Sequence, residues 1–287
     1  MARLFLDLRQ AAGQRKGRVM TSRIILTLSV MCCSAAALSD TRRPDIGKIV
    51  EQSAQATDAD RKASSDFAYS ETDSLGEGAT KTYAVQMLLG SPYQQLVAVN
   101  GKPLANPAQE RERQKLKHET SRREQESADQ RRRRVAAYQK EQNRDRRFIE
   151  EFTRAFDFTL LGEQELDGRA VYLLQATPRA GYHPTDKASA VLTGMRGRLW
   201  IDKQTYQWVK VEAEVTRPVS MGGFLAKVER GTRFELEKMP VEGNIWLPKH
   251  FVMTSRARVL SLIPYRKDKD ETYFNYHKTA QESGRPR

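Results

Sequence analysis

The stretch GRLWIDKQTYQWVKVEAEV, residues 197–215, decides the fold class of this chain. Apolar residues occupy every second position of its second half, and charged residues occupy the positions between them: Val209, Val211, Ala213 and Val215 alternate with Lys210, Glu212 and Glu214. Successive side chains of a β-strand point to opposite faces, so this half predicts a strand with one apolar face. The polar residues between Asp202 and Thr205 predict a turn, and the whole stretch is typical of an antiparallel hairpin.

Similar segments occupy most of the remaining chain. Strands are predicted from 66–74, 81–90, 93–104, 156–178, 224–239, 244–260 and 271–279, with tight turns at Asn100-Gly101 and Asp167-Gly168. Long antiparallel strands that are apolar on one side only predict one large twisted sheet whose apolar face is either covered or used. The alternation does not tell whether such a sheet closes into a barrel.

Two segments predict helices instead. Residues 45–61 place Ile46, Ile49 and Val50 on one helical face. Residues 107–151 contain 14 Lys or Arg and 10 Asp or Glu, without glycine and with proline only at the first position, and they favour a long charged helix. The fold class expected is therefore mainly β with α: a curved antiparallel half-barrel with an N-terminal helix and a long charged helix inserted between strands.

The N-terminal 39 residues predict export. Arg23 precedes an apolar run from Ile24 to Cys33, and small residues then lead to a cleavage position before Asp40. This is the layout of a secretory signal peptide, with Met20 as the expected true start, and it predicts a periplasmic protein. Cleavage would remove both cysteines, although a lipid anchor on Cys32 or Cys33 stays open, and would leave residues 40–287 as a single half-barrel domain containing the insertion 107–151.

The net charge of +13 and the run Arg131–Arg134 raise the question of a polyanionic partner. The insertion carries a net charge of only +4, and several of its carboxylates precede a basic residue by four positions, as Glu119 precedes Arg123. Its aromatic residues are not interleaved with the cations as stacking platforms for bases would be. These features argue against nucleic acid, and they leave a self-paired solvated helix or contact with an anionic membrane surface.

The sequence offers little for catalysis. The four histidines are scattered without metal-ligand spacing, and no nucleophile elbow or phosphate-binding glycine loop is present. We therefore expect no catalytic residues, no metal and no cofactor.

Two segments resemble strands of a known family. The "WID" of residues 200–202 and the "WLP" of residues 246–248 are similar to strand ends in the LolA/LolB/RseB-like periplasmic half-barrels, which include outer-membrane lipoprotein-sorting proteins. The resemblance covers roughly residues 70–100 and 155–278, and the charged insertion departs from it. It implies a concave apolar face under helices that shelters the acyl chains of lipids or lipoproteins.

The candidate ligand-binding residues are the apolar residues that alternate with polar ones along adjacent strands: Val209, Val211, Val215, Phe234, Leu236, Phe251 and Met253. Phe148, Ile149 and Phe152 share one face of the inserted helix and are expected to anchor it to the sheet as a lid. The expected function is binding of a lipid or of lipoprotein acyl chains. The alternative is an envelope sensor or scaffold that binds a protein through the charged helix and fills its groove with its own side chains.

Overall fold

The computed structural model describes residues 44–74, 78–187, 189–221, 226–259 and 263–279. The predicted signal peptide, the residues before it and the last eight residues lie outside these ranges. Helix α1 (Ile46–Ala63) follows Asp45, whose carboxylate accepts a hydrogen bond from the Lys48 amide at 3.1 Å. Such a cap satisfies one of the free amides at a helix start. No helix within the described ranges is long and apolar enough to cross a bilayer.

The charged insertion is helical, as predicted, but it forms two helices, α2 (Asn106–Glu124) and α3 (Ala128–Ala155). Ser127 starts the second helix with a capping box: the Gln130 amide donates to its hydroxyl at 3.2 Å, and its own amide donates to the Gln130 side chain at 2.9 Å. A reciprocal cap of this kind favours a new helix start over continuation.

The strands belong to one sheet. They are β1 (Phe67–Ser74), β2 (Thr80–Leu88), β3 (Ser91–Val99), β4 (Lys102–Pro103), β5 (Phe156–Leu166), β6 (Arg169–Pro178), β7 (Met195–Asp202), β8 (Trp208–Val215), β9 (Val219–Met221), β10 (Ala226–Val228), β11 (Arg233–Glu242), β12 (Ile245–Val259) and β13 (Ile263–Lys278). Short 3₁₀ turns cover Ser64–Asp66 and Ser189–Gly194. The paired order is β4-β3-β2-β1-β13-β12-β11-β8-β7-β6-β5, with β9 and β10 beside β12.

This sheet is open and strongly curved. The described strands at its two ends, β4 and β5, do not pair with each other. Six neighbouring strands, from β3 to β11 in the sheet order, line one cavity of about 340 Å³. Side chains of all six strands lie on one side of the cavity and α3 lies on the other, as in a sheet that curves under a helix, and the expected half-barrel fold is confirmed.

The main core lies on the concave face. Residues of β5 to β8, β11 and β12 pack there against α1 and the end of α3, and the most deeply buried are Ala155, Leu174, Ala176, Leu192, Ile201 and Val215. A smaller cluster on the convex face contains Val171, Trp200, Val209 and Trp246.

One predicted strand is divided. Residues 224–239 were expected as a single alternating strand, but β10 and β11 are separated by a turn in which Gly231 has φ +83°. Glycine adopts this conformation without the strain that a side chain would cause. Both pieces pair with β12, so the two parts of the predicted strand lie beside the same neighbouring strand.

Candidate ligand cavity

The register of the sheet brings most predicted groove residues onto one face. Val211 of β8 pairs with Leu236 of β11, Leu236 pairs with Phe251 of β12, and Phe251 pairs with Glu271 of β13. Residues directly opposite each other across paired strands point to the same side of a sheet. This row therefore runs along the concave face from the apolar core into the cavity. The next row contains Ala213, Phe234, Met253 and Lys269.

Val209 does not belong to the concave face. A register shift between β7 and β8 pairs Trp200 with Lys210 but Ile201 with Trp208, and Val209 is the extra residue of this bulge. A bulge interrupts the alternation of faces. Val209 consequently packs with Trp200 on the convex face, whereas Trp208 turns into the concave core. The prediction that Val209 lines the groove is wrong for this reason.

The half of the concave face under α1 and the end of α3 is filled. Val211, Val215, Phe234 and Met253 are buried there among core side chains. Phe152 packs its ring 5.6 Å from that of Trp208 and 4.9 Å from that of Phe156, between ring centroids.

The other two anchor candidates, Phe148 and Ile149, are half-buried beside Phe152 and line a narrow apolar crevice of about 20 Å³. The crevice has room for no more than about one water molecule. This half of the face resembles an ordinary core.

The other half contains a cavity of about 340 Å³ between α3 and the sheet. Tyr138, Glu141 and Gln142 of α3 lie on one side of it. Its opposite wall is formed by apolar and aromatic side chains of the strands: Phe67, Tyr69, Val85, Met87, Leu236, Leu247, Phe251, Tyr273 and Tyr276. Its volume falls within the range of pockets that bind small ligands. Of the seven groove candidates, Leu236 and Phe251 line this cavity.

Three tyrosines form an aromatic cluster in the wall. The ring centroid of Tyr69 lies 5.3 Å from that of Tyr276 and 5.9 Å from that of Tyr273. Tyr273 and Tyr276 are three residues apart on one strand and still line the same cavity, because Asn275 adopts φ +55° within an irregular stretch of the β1–β13 register. The Tyr276 hydroxyl donates to the Pro248 carbonyl at 2.7 Å.

Several polar groups share the cavity with these aromatic rings. Glu71 is 2% exposed and accepts a hydrogen bond from Gln94 at 3.3 Å. Glu271 accepts from the Tyr273 hydroxyl at 2.7 Å and forms an ion pair with Lys269 at 3.0 Å. Burial raises the pKa of the Tyr273 hydroxyl, and the negative charges of Glu271 and Glu71 raise it further. Tyr273 therefore remains a neutral donor at physiological pH.

One group of described carboxylates is close enough to share a cation. Ligand oxygens of Glu71, Asp73 and Glu271 lie within 4.8 Å of one another. Gln94 donates a hydrogen bond to Glu71, and Glu271 accepts one from Tyr273 and pairs with Lys269.

Helices α2 and α3 are held beside the cavity by one arginine each, Arg123 of α2 and Arg134 of α3, which contact the β2–β3 turn. The Arg134 guanidinium donates to the Leu89 carbonyl at 3.0 Å and to the Ser91 hydroxyl at 2.8 Å, and it binds both oxygens of Glu126. Arg123 donates to the Leu88 and Ser91 carbonyls at 2.7 and 2.9 Å. The last arginine of the run is thus a structural contact between α3 and the sheet.

Sequence reasoning missed Tyr69, Glu71, Tyr138, Tyr273 and Tyr276. Strand β13 carries charged or polar residues on both faces, so its pattern does not reveal which face lies inward. The one usable signal was Asn275, since asparagine tolerates positive φ better than most residues and favours an interruption of the strand there.

No protein-family model and no curated protein matches the chain. Among solved structures it is similar to an outer membrane lipoprotein-sorting protein domain from Vibrio parahaemolyticus (14% identity, TM-score 0.29, covering 82% of this chain and 95% of that one). It is also similar to a DUF1329 family protein from Desulfovibrio piger (10%, 0.27, 82% and 95%) and to the MucA/MucB complex of Pseudomonas aeruginosa (12%, 0.23, 82% and 99%). Because these scores are low, the fold assignment rests on the strand order and register described above.

Proposed function

We propose that this protein is a non-catalytic binding protein of the bacterial periplasm that shelters an acyl chain, either of a lipid or of a lipoprotein. The cavity of about 340 Å³ between α3 and the concave sheet carries this proposal. Its wall of aromatic and aliphatic side chains would replace water around the chain. Each buried methylene contributes about 0.8 kcal/mol, so even a partly enclosed chain would bind usefully.

The polar groups of the cavity suit an amphipathic ligand. Glu71, Glu271 and Lys269 lie beside the aromatic wall, and ligand pockets commonly combine an apolar lining with a few such groups that fix orientation. Release would require α3 to move away from the sheet, because Tyr138 and Gln142 stand over the cavity.

The second candidate is an envelope sensor or scaffold that binds a protein partner through the helical insertion. The filled half of the concave face favours it, since Val211, Phe234 and Met253 are buried by the protein's own side chains. Under this alternative the remaining cavity would be too small or too polar to hold a chain.

Native mass spectrometry of the protein purified from its own envelope separates the two candidates. The binding proposal expects a co-purifying lipid, or saturable binding of a fluorescent fatty acid to the lipid-free protein. If no lipid co-purifies and no fatty acid binds, only the scaffold alternative remains.

A further inference from the structure

The face of α3 that points away from the cavity carries four basic side chains. Arg133, Lys140, Arg144 and Arg147 follow one another at spacings of seven, four and three residues. At 100° per residue these positions fall within a sector of about 60°, and they extend over about 21 Å of helix axis. Tyr138 and Gln142, which line the cavity, lie on the opposite side of the helix.

These four cations, named here the outer stripe, differ from most of the other basic residues of α2 and α3, although Arg111, Lys117 and Arg131 are also exposed and without an ion pair to a described carboxylate. Three of the stripe residues are exposed and Arg144 is half-exposed, and no carboxylate whose side chain the structure describes, which leaves Asp145 aside, lies within ion-pair distance of any of them. Four other exposed cations each pair with a carboxylate three residues away: Arg113 with Glu110, Lys115 with Glu112, Arg122 with Glu119, and Arg132 with Asp129. Arg131 is the other described cation of α3 without an ion pair, and it lies on the opposite side of the helix, so the stripe is the face of α3 on which several unpaired cations line up.

We infer that the outer stripe docks the protein on an anionic lipid surface, with the axis of α3 parallel to the membrane. A line of cations on one helix face can approach a flat layer of phosphate groups together. Each lysine or arginine near an anionic bilayer strengthens binding by roughly fivefold, and the attraction extends about one Debye length. This geometry would bring the helix that covers the cavity to the membrane, where acyl chains are exchanged. The inference rests on the stripe alone and holds whether or not the cavity binds lipid.

The test is sedimentation of the protein with vesicles of phosphatidylglycerol and phosphatidylcholine at about 0.1 M salt, with pure phosphatidylcholine vesicles as the neutral surface. We expect binding to the anionic vesicles only. Replacing Arg133, Lys140, Arg144 and Arg147 together by glutamine should weaken it by about 10²-fold or more. A matched variant replaces Arg113, Lys115, Arg122 and Arg132 by glutamine, which removes the same net charge, and should weaken it by less than about tenfold because those cations are already paired.

Three results would overturn the inference. Equal weakening in the two variants would mean that only net charge matters, and unchanged binding in the stripe variant would mean that other residues contact the lipid. Stripe-dependent binding to double-stranded DNA that is tighter than binding to the vesicles would identify a different polyanion. Circular dichroism of both variants checks that the helices remain folded, and the lipid-free cavity is assayed separately with a fluorescent fatty acid.

Discussion

At the scale of single residues, Asp60 of α1 and Lys238 of β11 form an ion pair with exposed fractions of 3% and 8%. Asp60 also accepts hydrogen bonds from Gln207 at 3.0 Å and from the Trp246 amide at 2.8 Å. Burial raises the pKa of Asp60 and lowers the pKa of Lys238, so each charge depends on the other. This network ties the end of α1 to the β11–β12 hairpin.

Replacing Lys238 by methionine should lower the free energy of unfolding by about 3–5 kcal/mol, because Asp60 would keep a buried charge without its partner. Urea denaturation measures the loss. The control is Lys249→Met on β12, where the side chain is 48% exposed, and its expected cost is about 0–1 kcal/mol. Adding Asp60→Asn to Lys238→Met should recover part of the stability. Equal losses of stability in Lys238→Met and Lys249→Met would contradict the role of Lys238 as the partner of a buried carboxylate.

Arg123 and Arg122 provide a second comparison between neighbours. The Arg123→Met change should cost about 2–3 kcal/mol, because it leaves the Leu88 and Ser91 carbonyls without their donors. The Arg122→Met change removes only surface pairs with Glu119 and Glu126 and should cost about 0–1 kcal/mol. Urea midpoints measure both. A larger loss for Arg122→Met would show that the β2–β3 turn does not hold α2 in place.

At the scale of elements, the α2–α3 hairpin is held by carboxylates whose pKa values are low. The hydrogen bond from Arg122, assisted by Arg123, lowers the pKa of Glu119 to about 2, and the hydrogen bond from Arg134 lowers that of Glu126. A folded-state pKa below the unfolded value means that the stabilisation is fully present above about pH 4.5 and is lost as the pH falls toward 2.

Amide hydrogen exchange should therefore show the hairpin losing protection between about pH 4.5 and 2, relative to strands β6 and β7. The Glu119→Gln variant should already be less protected at pH 6 and should change less on acidification. Protection of the hairpin that is independent of pH would contradict the role of these pairs.

Local patterns predicted the elements well but not every face. Asn100-Gly101 and Asp167-Gly168 form the expected turns, with positive φ at all four residues. Alternation placed Val211, Leu236 and Phe251 correctly, because regular pairing preserves the phase. Alternation placed Val209 on the wrong face, since a bulge depends on the pairing with the neighbouring strand and does not change the sequence pattern. Register between distant strands, which builds the cavity, is a property of the tertiary structure.

At the scale of the whole molecule, the concave face is divided into a filled half and an open half. Phe152 and its neighbours close the face over β7 and β8, while α3 spans a cavity lined by β1 to β3 and β11 to β13. Because α3 is packed against the sheet at its C-terminal end, we expect its middle part, which lies over the cavity, to move when a ligand binds.

Replacing Phe152 by alanine should therefore lower the free energy of unfolding by about 3–5 kcal/mol through the cavity that it leaves. The matched control, Phe148→Ala, concerns a half-buried ring and should cost less. Denaturation by urea measures both. The anchoring role assigned to Phe152 would be wrong if the two variants were equally stable.

The central claim is that the cavity under α3 holds an acyl chain, and fluorescent fatty-acid binding to two neighbouring variants tests it most directly. Gln142 lines the cavity and Asn143 is exposed on the same helix. Because a larger side chain would occupy the space of several methylenes, Gln142→Trp should raise the Kd by about tenfold or more, while Asn143→Trp should leave it within about twofold. Equal affinity of the two variants, or no binding by the unaltered protein, would contradict the claim.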